Sequence, residues 1–249
     1  MGYITEKKYE INYYDVNKNL ECKLSSIVNF LCDVGNDQAE RLGETIDALV
    51  ANNYAWVFYK YDITVHKYPK YRDVVNVETE AAGFNKFYAF RKYRIKDEEG
   101  NILVEAIALF FLIDLTRRRP KRISQEQIDL YSKGEELPKS VDMGEARELE
   151  EEQYSSHFNI RYSDIDSNGH VNNVNYITWA MEVVPLEIIK DYKLKHILVR
   201  FEKETTYGDK VKSVAQVIKE NDNTITTLHK IYSGENVELT RIEIEWERE

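Results

Sequence analysis

The segment from Leu24 to Arg41, LSSIVNFLCDVGNDQAER, carries the clearest helical pattern of the first half. Its apolar residues recur at spacings of three and four, at Leu24, Ile27, Val28, Leu31 and Val34. Residues at these spacings share one face of an α-helix, and Ser25 or Ser26 can cap its start. We therefore expect a long amphipathic helix that packs its apolar face against a sheet.

Strand-like segments flank this helix on both sides. Lys8–Val16 precedes it, and four further runs follow it, at Tyr54–His66, Asp73–Ala82, Lys86–Ile95 and Ile102–Leu115. Turn signals such as Gly83 and DEEGN at 97–101 separate these runs. A strand, a long helix and four strands predict an antiparallel sheet wrapped around one helix.

The second half repeats this order of elements. A short strand at His157–Tyr162 and a helix at Asn172–Lys190 precede four strands, at Lys195–Tyr207, Val211–Glu220, Thr224–Tyr232 and Val237–Trp246. Pro185 lies within the helical pattern and should kink the helix or end it early. The sequence thus predicts an α+β chain of two tandem units, residues 1–135 and 153–249, joined by an acidic linker at 136–152.

Composition narrows the classes of function. The chain has 249 residues and a formal net charge of -10, which argues against nucleic-acid binding. No apolar run reaches the roughly 18 residues that cross a bilayer, and the polar N-terminus fits neither a signal peptide nor a transit peptide. We expect a soluble cytoplasmic protein in which Cys22 and Cys32, without CxxC spacing, stay reduced.

The densest polar cluster is RYSDIDSNGHVNN at 161–173, between the first strand of the second half and its helix. Asp166, Asn168 and His170 are two residues apart and share one face of an extended segment. A carboxylate, an amide and an imidazole beside a helix N-terminus can orient water and stabilise an oxyanion. The alternative is a structural loop, since Asp, Asn and Ser favour turns and N-caps. Asn172 or Asn173 is expected to be the cap.

The segment DIDSNGHVNNVNYITWAMEVVP at 164–185 resembles the signature of the plant-type fatty acyl-ACP thioesterases. The resemblance continues in WVFYKYDITVHKYPKYRDVVNVETE at 56–80 and DLTRRRPKRI at 114–123, so it covers both halves in the family's order. It implies two tandem hotdog domains, each a long helix wrapped by an antiparallel sheet. It also implies hydrolysis of the fatty acyl-ACP thioester, which releases free fatty acid and ends elongation, with no metal or redox cofactor.

By this resemblance, the family's catalytic Asp, Asn and His fall on Asp166, Asn168 and His170, and its glutamate falls on Glu204. Thr205 stands where the plant enzymes have Cys, which rules out a cysteine nucleophile there and favours attack by water. Regular alternation along a strand that reaches residue 207 turns Glu204 away from the apolar face. A bulge or the strand end must re-aim it; otherwise Glu204 is a solvated strand residue.

The first half offers only Asn17-Lys18-Asn19 before its helix, so we expect one active site per chain. By resemblance, the helix 24–41 and the strand Tyr54–His66 line the acyl-chain cavity, although residues there can equally be plain core. The other histidines lack metal-ligand spacing and are expected to be structural or exposed: His66, His157, His196 and His229.

The implied partner is an acidic acyl carrier protein, and the candidate surface for it is the basic run Arg117–Arg122. Solvated charges at a strand end are the alternative for that run, and a homodimer is compatible with the sequence. Two other functions stay open. One is an acyl-CoA thioesterase, because many single-hotdog enzymes carry a similar Asp…Gly-His-Val-Asn-Asn run; the other is a non-catalytic acyl-binding protein on the same fold. The fused length and the flanking motifs favour the carrier-protein substrate.

Overall fold

The computed structural model describes residues 2–248, which form two compact units. The first comprises the residues up to Tyr59 together with Val65–Met143, and the second comprises Lys60–Thr64 together with the residues from Gly144 on. Each unit is an antiparallel sheet with a principal helix packed on it. The α+β class and the repeated order of elements, predicted from the sequence, are confirmed.

The first unit begins with β1 (Thr5–Glu10), a 3₁₀ turn (Tyr13–Asp15), α1 (Leu24–Arg41) and α2 (Ile46–Ala51). It continues with β2 (Tyr54–Val65), β3 (Val74–Phe84), β4 (Tyr88–Lys96), β5 (Ile102–Asp114), β6 (Arg119–Pro120) and α3 (Gln125–Ser132). The strand order is β1-β3-β4-β5-β2, with β6 paired to β5.

Helix α1 has the bounds that its apolar period predicts, and it packs on β1 and β3. Its stripe is buried, with Leu24 at 7% exposure and Ile27, Val28, Leu31 and Val34 at 0%. Burial of each such side chain stabilises the fold by roughly 2 kcal/mol. The predicted serine cap is wrong: the helix already begins at Leu24, and Lys23 occupies the N-cap position without a side-chain hydrogen bond.

The second unit contains β7 (Tyr154–Asn159), a 3₁₀ turn (Tyr162–Asp164), α4 (Asn173–Met181) and α5 (Leu186–Asp191). Four strands follow: β8 (Tyr192–Phe201), β9 (Lys210–Lys219), β10 (Thr224–Ser233) and β11 (Glu238–Arg248). The strand order is β8-β11-β10-β9-β7, and residues 60–64 of β2 pair with β8. Helix α4 packs on β9, β10 and β11.

Three predicted element boundaries differ from those in the structure, each for a physical reason. Helix 172–190 is two helices, because α4 ends at Met181 and Pro185 occupies the N-cap of α5, as its missing N–H favours. The first strand ends at Glu10, before the 3₁₀ turn, rather than at Val16. Strand β8 ends at Phe201 rather than Tyr207, because residues 202 and 203 both donate their N–H groups to the Leu239 carbonyl, at 2.8 and 3.2 Å.

The acidic part of the expected linker lies ion-paired on the second unit. Glu148 pairs with Lys230 (2.6 Å) and with Arg241, and the N–H and Nε of Arg147 both donate to Glu243, at 2.7 and 2.9 Å. The segment has coil conformation, and Arg147 and Glu148 form ion pairs although both side chains stay partly exposed to solvent. Elsewhere, within residues 2–248, no helix is long and apolar enough to cross a membrane.

Candidate active site

A tight loop between the second 3₁₀ turn and α4 carries Asp166, Asn168 and His170. The Asp166 N–H donates to the His170 carbonyl (2.8 Å), and the Gly169 N–H donates to the Asp166 carbonyl (3.1 Å). Gly169 has a φ of +79°, a left-handed conformation that glycine adopts without steric cost. The loop therefore reverses at Asn168-Gly169 and returns His170 beside Asp166.

The Asp166 carboxylate braces this loop from within. Its Oδ1 accepts the backbone N–H groups of Asn168 (2.8 Å) and His170 (3.4 Å). Asn168 is exposed and supplies its backbone to this brace. Asp166 thus holds the backbone that presents the imidazole.

A buried carboxylate, Asp164, anchors the loop to the unit. Burial would raise the pKa of Asp164, but hydrogen bonds and charge from Arg161 outweigh burial and hold this pKa below its usual value. The Asp164 carbonyl accepts the Asn172 N–H (2.8 Å) and the Asn175 side-chain amide (3.0 Å). Asn172 in turn caps α4 by accepting the Val174 N–H (3.1 Å), as one of the two expected cap residues.

Glu204 meets His170 from the loop that follows β8. Its Oε1 lies 3.3 Å from the His170 Nε2, and the two side chains are 40% and 31% exposed. Because β8 ends at Phe201, strand alternation does not govern Glu204, and the end of the strand re-aims its side chain. The structure therefore brings Glu204 and His170 together as an open carboxylate–imidazole pair.

Two hydrogen bonds join the two loops on either side of His170. The Val171 N–H donates to the Thr205 carbonyl (3.0 Å), and the Thr206 hydroxyl donates to the Gly169 carbonyl (3.0 Å). The Thr205 hydroxyl donates to Asp209 (2.7 Å). Sequence reasoning missed Thr206 and Asp209, because a turn such as Gly208-Asp209 carries no signal of its contact with a distant loop.

The arrangement can support acid–base chemistry. A carboxylate and an imidazole in contact can accept a proton from water and pass it on, and the start of α4 presents the positive end of a helix dipole. Two of the other histidines have structural settings: burial lowers the pKa of His229 to about 3, and His196 contacts Asp62 at 2.7 Å. Cys22 and Cys32 are free thiols, and burial raises the pKa of Cys22 to about 12.

The first unit contains the same loop with other side chains. The Asn17 N–H donates to the Glu21 carbonyl (2.8 Å), and the Leu20 N–H donates to the Asn17 carbonyl (3.0 Å). The Asn17 Oδ1 accepts the N–H groups of Asn19 (2.8 Å) and Glu21 (3.2 Å). Asn17-Lys18-Asn19 is therefore a backbone counterpart of the loop at 166–170, which the sequence did not reveal.

The side chains at the chemically important positions differ. The Cys22 N–H donates to the Pro69 carbonyl (2.7 Å), the bond that matches Val171 to Thr205 in the second unit. By this correspondence, Glu21 stands at the position of His170, and Tyr68 stands at the position of Glu204. The described part of the first unit thus repeats the loop without the carboxylate–imidazole pair.

Two family models cover most of the chain. The model of the acyl-ACP thioesterase N-terminal domain matches residues 2–131, and that of the acyl-ACP thioesterase C-terminal domain matches residues 147–248. Among curated relatives, the chloroplastic oleoyl-acyl carrier protein thioesterase of Coriandrum sativum is 26% identical over 99% of this chain. Thioesterase 2 of the same type from Arabidopsis thaliana is 27% identical over 86%. The chain spans 78% and 63% of the lengths of these two relatives.

Solved structures share the fold over nearly the whole chain. A protein from Lactobacillus plantarum superposes with a TM-score of 0.94 at 24% identity, over 99% of this chain and 97% of that chain. The 12:0-ACP thioesterase from Umbellularia californica superposes with a TM-score of 0.86 at 20% identity, over 99% and 98%. The predicted pair of tandem hotdog domains is confirmed by these likenesses.

Proposed function

Because this chain belongs to the acyl-ACP thioesterase family, we propose that it hydrolyses the thioester of fatty acyl groups carried on acyl carrier protein. The observation that carries the proposal is the contact of Glu204 with His170, 3.3 Å apart and open to solvent. The first unit, whose matching loop has Glu21 and Tyr68 instead, holds the acyl chain. The second unit performs the chemistry.

The reaction needs a base for water and a donor for the carbonyl oxygen. Glu204, with His170, accepts a proton from water as the water oxygen attacks the thioester carbon. The positive end of the α4 dipole, at the N-terminus of the helix, favours the oxyanion that forms. The C–S bond then breaks, the thiolate of the carrier leaves and takes up the proton, and a free fatty acid remains.

Besides Glu204, the proposed site includes the loop that carries Asp166, Asn168 and His170. Asp166 fixes the backbone of the loop through the N–H groups of Asn168 and His170, and its charge lies in the same turn as the imidazole. Asn168, exposed at the tip, is placed to contact substrate or water. Water is the nucleophile in this proposal, because Thr205, at the position of the family's Cys, has no thiol and is buried at 7% exposure.

A local basic surface offers an acidic carrier protein a place to dock. The exposed arginines of the run Arg117–Arg122 lie in the turn between β5 and β6 and just after it. Arg122 also lines a depression of about 670 Å³ together with Lys86 and Lys139. Since the whole chain has a net charge of -10, an acidic carrier needs such a local surface for productive encounter.

Steady-state kinetics on acyl-ACPs and acyl-CoAs of several chain lengths tests both parts of the proposal. The variant Arg119→Glu/Arg122→Glu should raise KM for acyl-ACP by about tenfold at low salt with kcat nearly unchanged, because steering acts on association. The difference should shrink at high salt, where exposed charges are screened beyond about 8 Å. Lys8→Glu/Lys18→Glu makes the same change in net charge elsewhere on the first unit and should leave KM near wild type.

The outcomes separate the alternatives. A folded wild-type protein that cleaves neither thioester would show that the chain is an acyl-binding protein rather than a hydrolase. Better turnover of acyl-CoA than of acyl-ACP would favour the CoA substrate. An equal rise in KM in the control variant would place the docking surface outside the Arg117–Arg122 run.

A further inference from the structure

We propose that Thr205 and Asp209 are positioning residues that hold Glu204 against His170. The inference rests on the proposed function, because it assigns a role within the same hydrolytic site. Neither side chain belongs to the proposed catalytic pair: the Thr205 hydroxyl donates to Asp209 at 2.7 Å, and Thr205 is buried. Their effect on the chemistry passes through the backbone of the loop that carries Glu204.

The connection runs through three successive hydrogen bonds. The Asp209 carbonyl accepts the Ile160 N–H (3.1 Å), which ties the turn at 206–209 to the end of β7. The Asp209 carboxylate accepts the Thr205 hydroxyl (2.7 Å), and the Thr205 carbonyl accepts the Val171 N–H (3.0 Å). Since Thr205 and Val171 directly follow Glu204 and His170, this chain of bonds sets the separation of the catalytic pair.

Burial makes the Thr205 hydroxyl dependent on its partner. Thr205 is 7% exposed, and a buried hydroxyl without an acceptor costs free energy that water cannot restore. With Asp209 in place, the bond fixes the side-chain rotamer of Thr205 and so the orientation of its backbone. Without Asp209, the hydroxyl must turn toward another acceptor, and the peptide that follows Glu204 turns with it.

The first unit shows why this brace is specific to the second. There the matching carbonyl belongs to Pro69, whose ring fixes the backbone φ without help from any side-chain bond. The matching aspartate, Asp73, accepts the backbone N–H of Lys70 (2.8 Å) rather than a side-chain hydroxyl. Thr205 has no ring to restrain it, so the hydroxyl–carboxylate bond performs the task that proline performs in the first unit.

Substitutions at Thr205 separate the hydroxyl from the shape of the side chain. Thr205→Val keeps the branched shape and removes the hydroxyl, and it should lower kcat by about tenfold with KM unchanged, since small displacements of catalytic groups cost that much or more. Thr205→Ser keeps the hydroxyl and should restore kcat to near the wild-type value. Hydrogen exchange gives a readout besides activity: the Val171 amide should exchange about tenfold faster in Thr205→Val, while the Cys22 amide, bonded to Pro69, stays unchanged.

The matched variants Asp209→Ala and Asp73→Ala test whether the carboxylate that accepts the Thr205 hydroxyl matters. Asp73 holds the equivalent position in the first unit, where it accepts a backbone N–H. Asp209→Ala should lower kcat and speed Val171 exchange, whereas Asp73→Ala should leave both near wild type. Wild-type kcat and wild-type Val171 exchange in Thr205→Val would overturn the inference, as would an equal loss of kcat in Asp73→Ala. If the wild type hydrolyses no thioester, the proposed function fails, and Val171 exchange still decides whether Thr205 and Asp209 brace the loop.

Discussion

The loop before α1 and the loop before α4 have the same hydrogen bonds and different chemistry. Both follow a 3₁₀ turn that contains a buried aspartate, Asp15 in the first and Asp164 in the second. Each aspartate carboxylate accepts the N–H of the residue three positions before it, at 3.0 and 2.8 Å. The backbone carbonyls of the two aspartates also accept an N–H from the residue eight positions later, which is Lys23 or Asn172, at 2.8 Å in both loops.

Even an aromatic contact recurs in both units. Tyr13 and Tyr71 meet edge to face with ring centroids 6.3 Å apart, and Tyr162 and Tyr207 do so at 6.5 Å. Both loops share the backbone hydrogen bonds and the Tyr–Tyr contact, but the first loop lacks the carboxylate–imidazole pair. The shared features therefore account for the shape of the loop and not for its proposed chemistry. Under the proposed function, the comparison separates residues that build the loop from those proposed to carry the chemistry, which are His170, Glu204 and Asp166 through its charge.

The largest expected effect distinguishes the two loops at their key position. His170→Ala should lower kcat for acyl-ACP by at least about a hundredfold, the loss typical of general acid–base catalysis. Glu21→Ala, at the same position of the first loop, should leave kcat within about twofold of wild type. Single-turnover kinetics on both variants, with circular dichroism to show that they are folded, measures this. A comparable loss in Glu21→Ala would mean that the first loop also takes part in the reaction.

A smaller effect is expected when Asp166 is given the side chain of its counterpart. Asp166→Asn keeps an oxygen for the N–H groups of Asn168 and His170, as Asn17 does in the first loop. The variant should therefore keep its melting temperature and lose about fivefold to tenfold in kcat, since one charge at a partly exposed site is worth about 1 kcal/mol. The reverse change, Asn17→Asp, should alter neither quantity. Full activity in Asp166→Asn would reduce Asp166 to a loop brace.

The smallest expected effect is a pH dependence of folding stability, which the contact of His196 with Asp62 gives to the second unit. Hydrogen bonding to Asp62 raises the pKa of His196 above its usual 6.5, so this pair stabilises the fold fully below that pH and loses the contribution as pH rises through the folded-state value. Burial would raise the pKa of Asp62, but the His196 and Gly144 hydrogen bonds lower it, so the contribution is lost only as pH falls below 3.8. The pair is therefore at full strength between 3.8 and 6.5.

Thermal melts at several pH values measure this contribution. Between about pH 6 and 8.5, the wild type should lose a few degrees of Tm that His196→Gln does not lose, as about 1 kcal/mol implies for a chain of this size. Lys7→Gln breaks the contact of Lys7 with Asp33 (2.6 Å) in the first unit. Burial would raise the pKa of Asp33, but the hydrogen bonds from Lys7 and Tyr9 lower it, so the variant should show the same loss of Tm over this pH range as the wild type. Parallel curves for wild type and His196→Gln would exclude a role for the pair.

Periodicity predicted most of the fold, and it failed where hydrogen bonds to distant residues end an element. The apolar stripe of α1 located the start of the helix at Leu24, because burial and helical period agree there. The sequence predicted that strand β8 continues to Tyr207. Nothing in the nearby sequence indicates that two successive N–H groups, at residues 202 and 203, donate to the Leu239 carbonyl and end the strand. Helix α2 was missed because six residues carry too little period to recognise.

The site was predictable as a set of residue types but not as a geometry. Asp166, Asn168 and His170 could be singled out because they are close in sequence, whereas Glu204 came from resemblance alone. Its contact with His170 depends on where β8 ends. Asn17-Lys18-Asn19 could be noted in the sequence, but its likeness to the second loop could not be predicted, because that likeness lies in backbone hydrogen bonds, which Asn17 and Asp166 support equally well.

The acidic segment at the start of the second unit has one more consequence, for proteolysis. By sequence, the run at 145–152 is an open target for a glutamate-specific protease. Yet the N–H of Arg147 is bonded to Glu243, the N–H of Glu150 to Gln216 and the N–H of Gln153 to the Ala215 carbonyl, at 2.7, 2.9 and 3.0 Å. A protease must bind its substrate as a free extended strand, so cleavage here first requires this segment to peel from β9 and β11. Susceptibility to cleavage in this segment is thereby set by the local stability of the second unit.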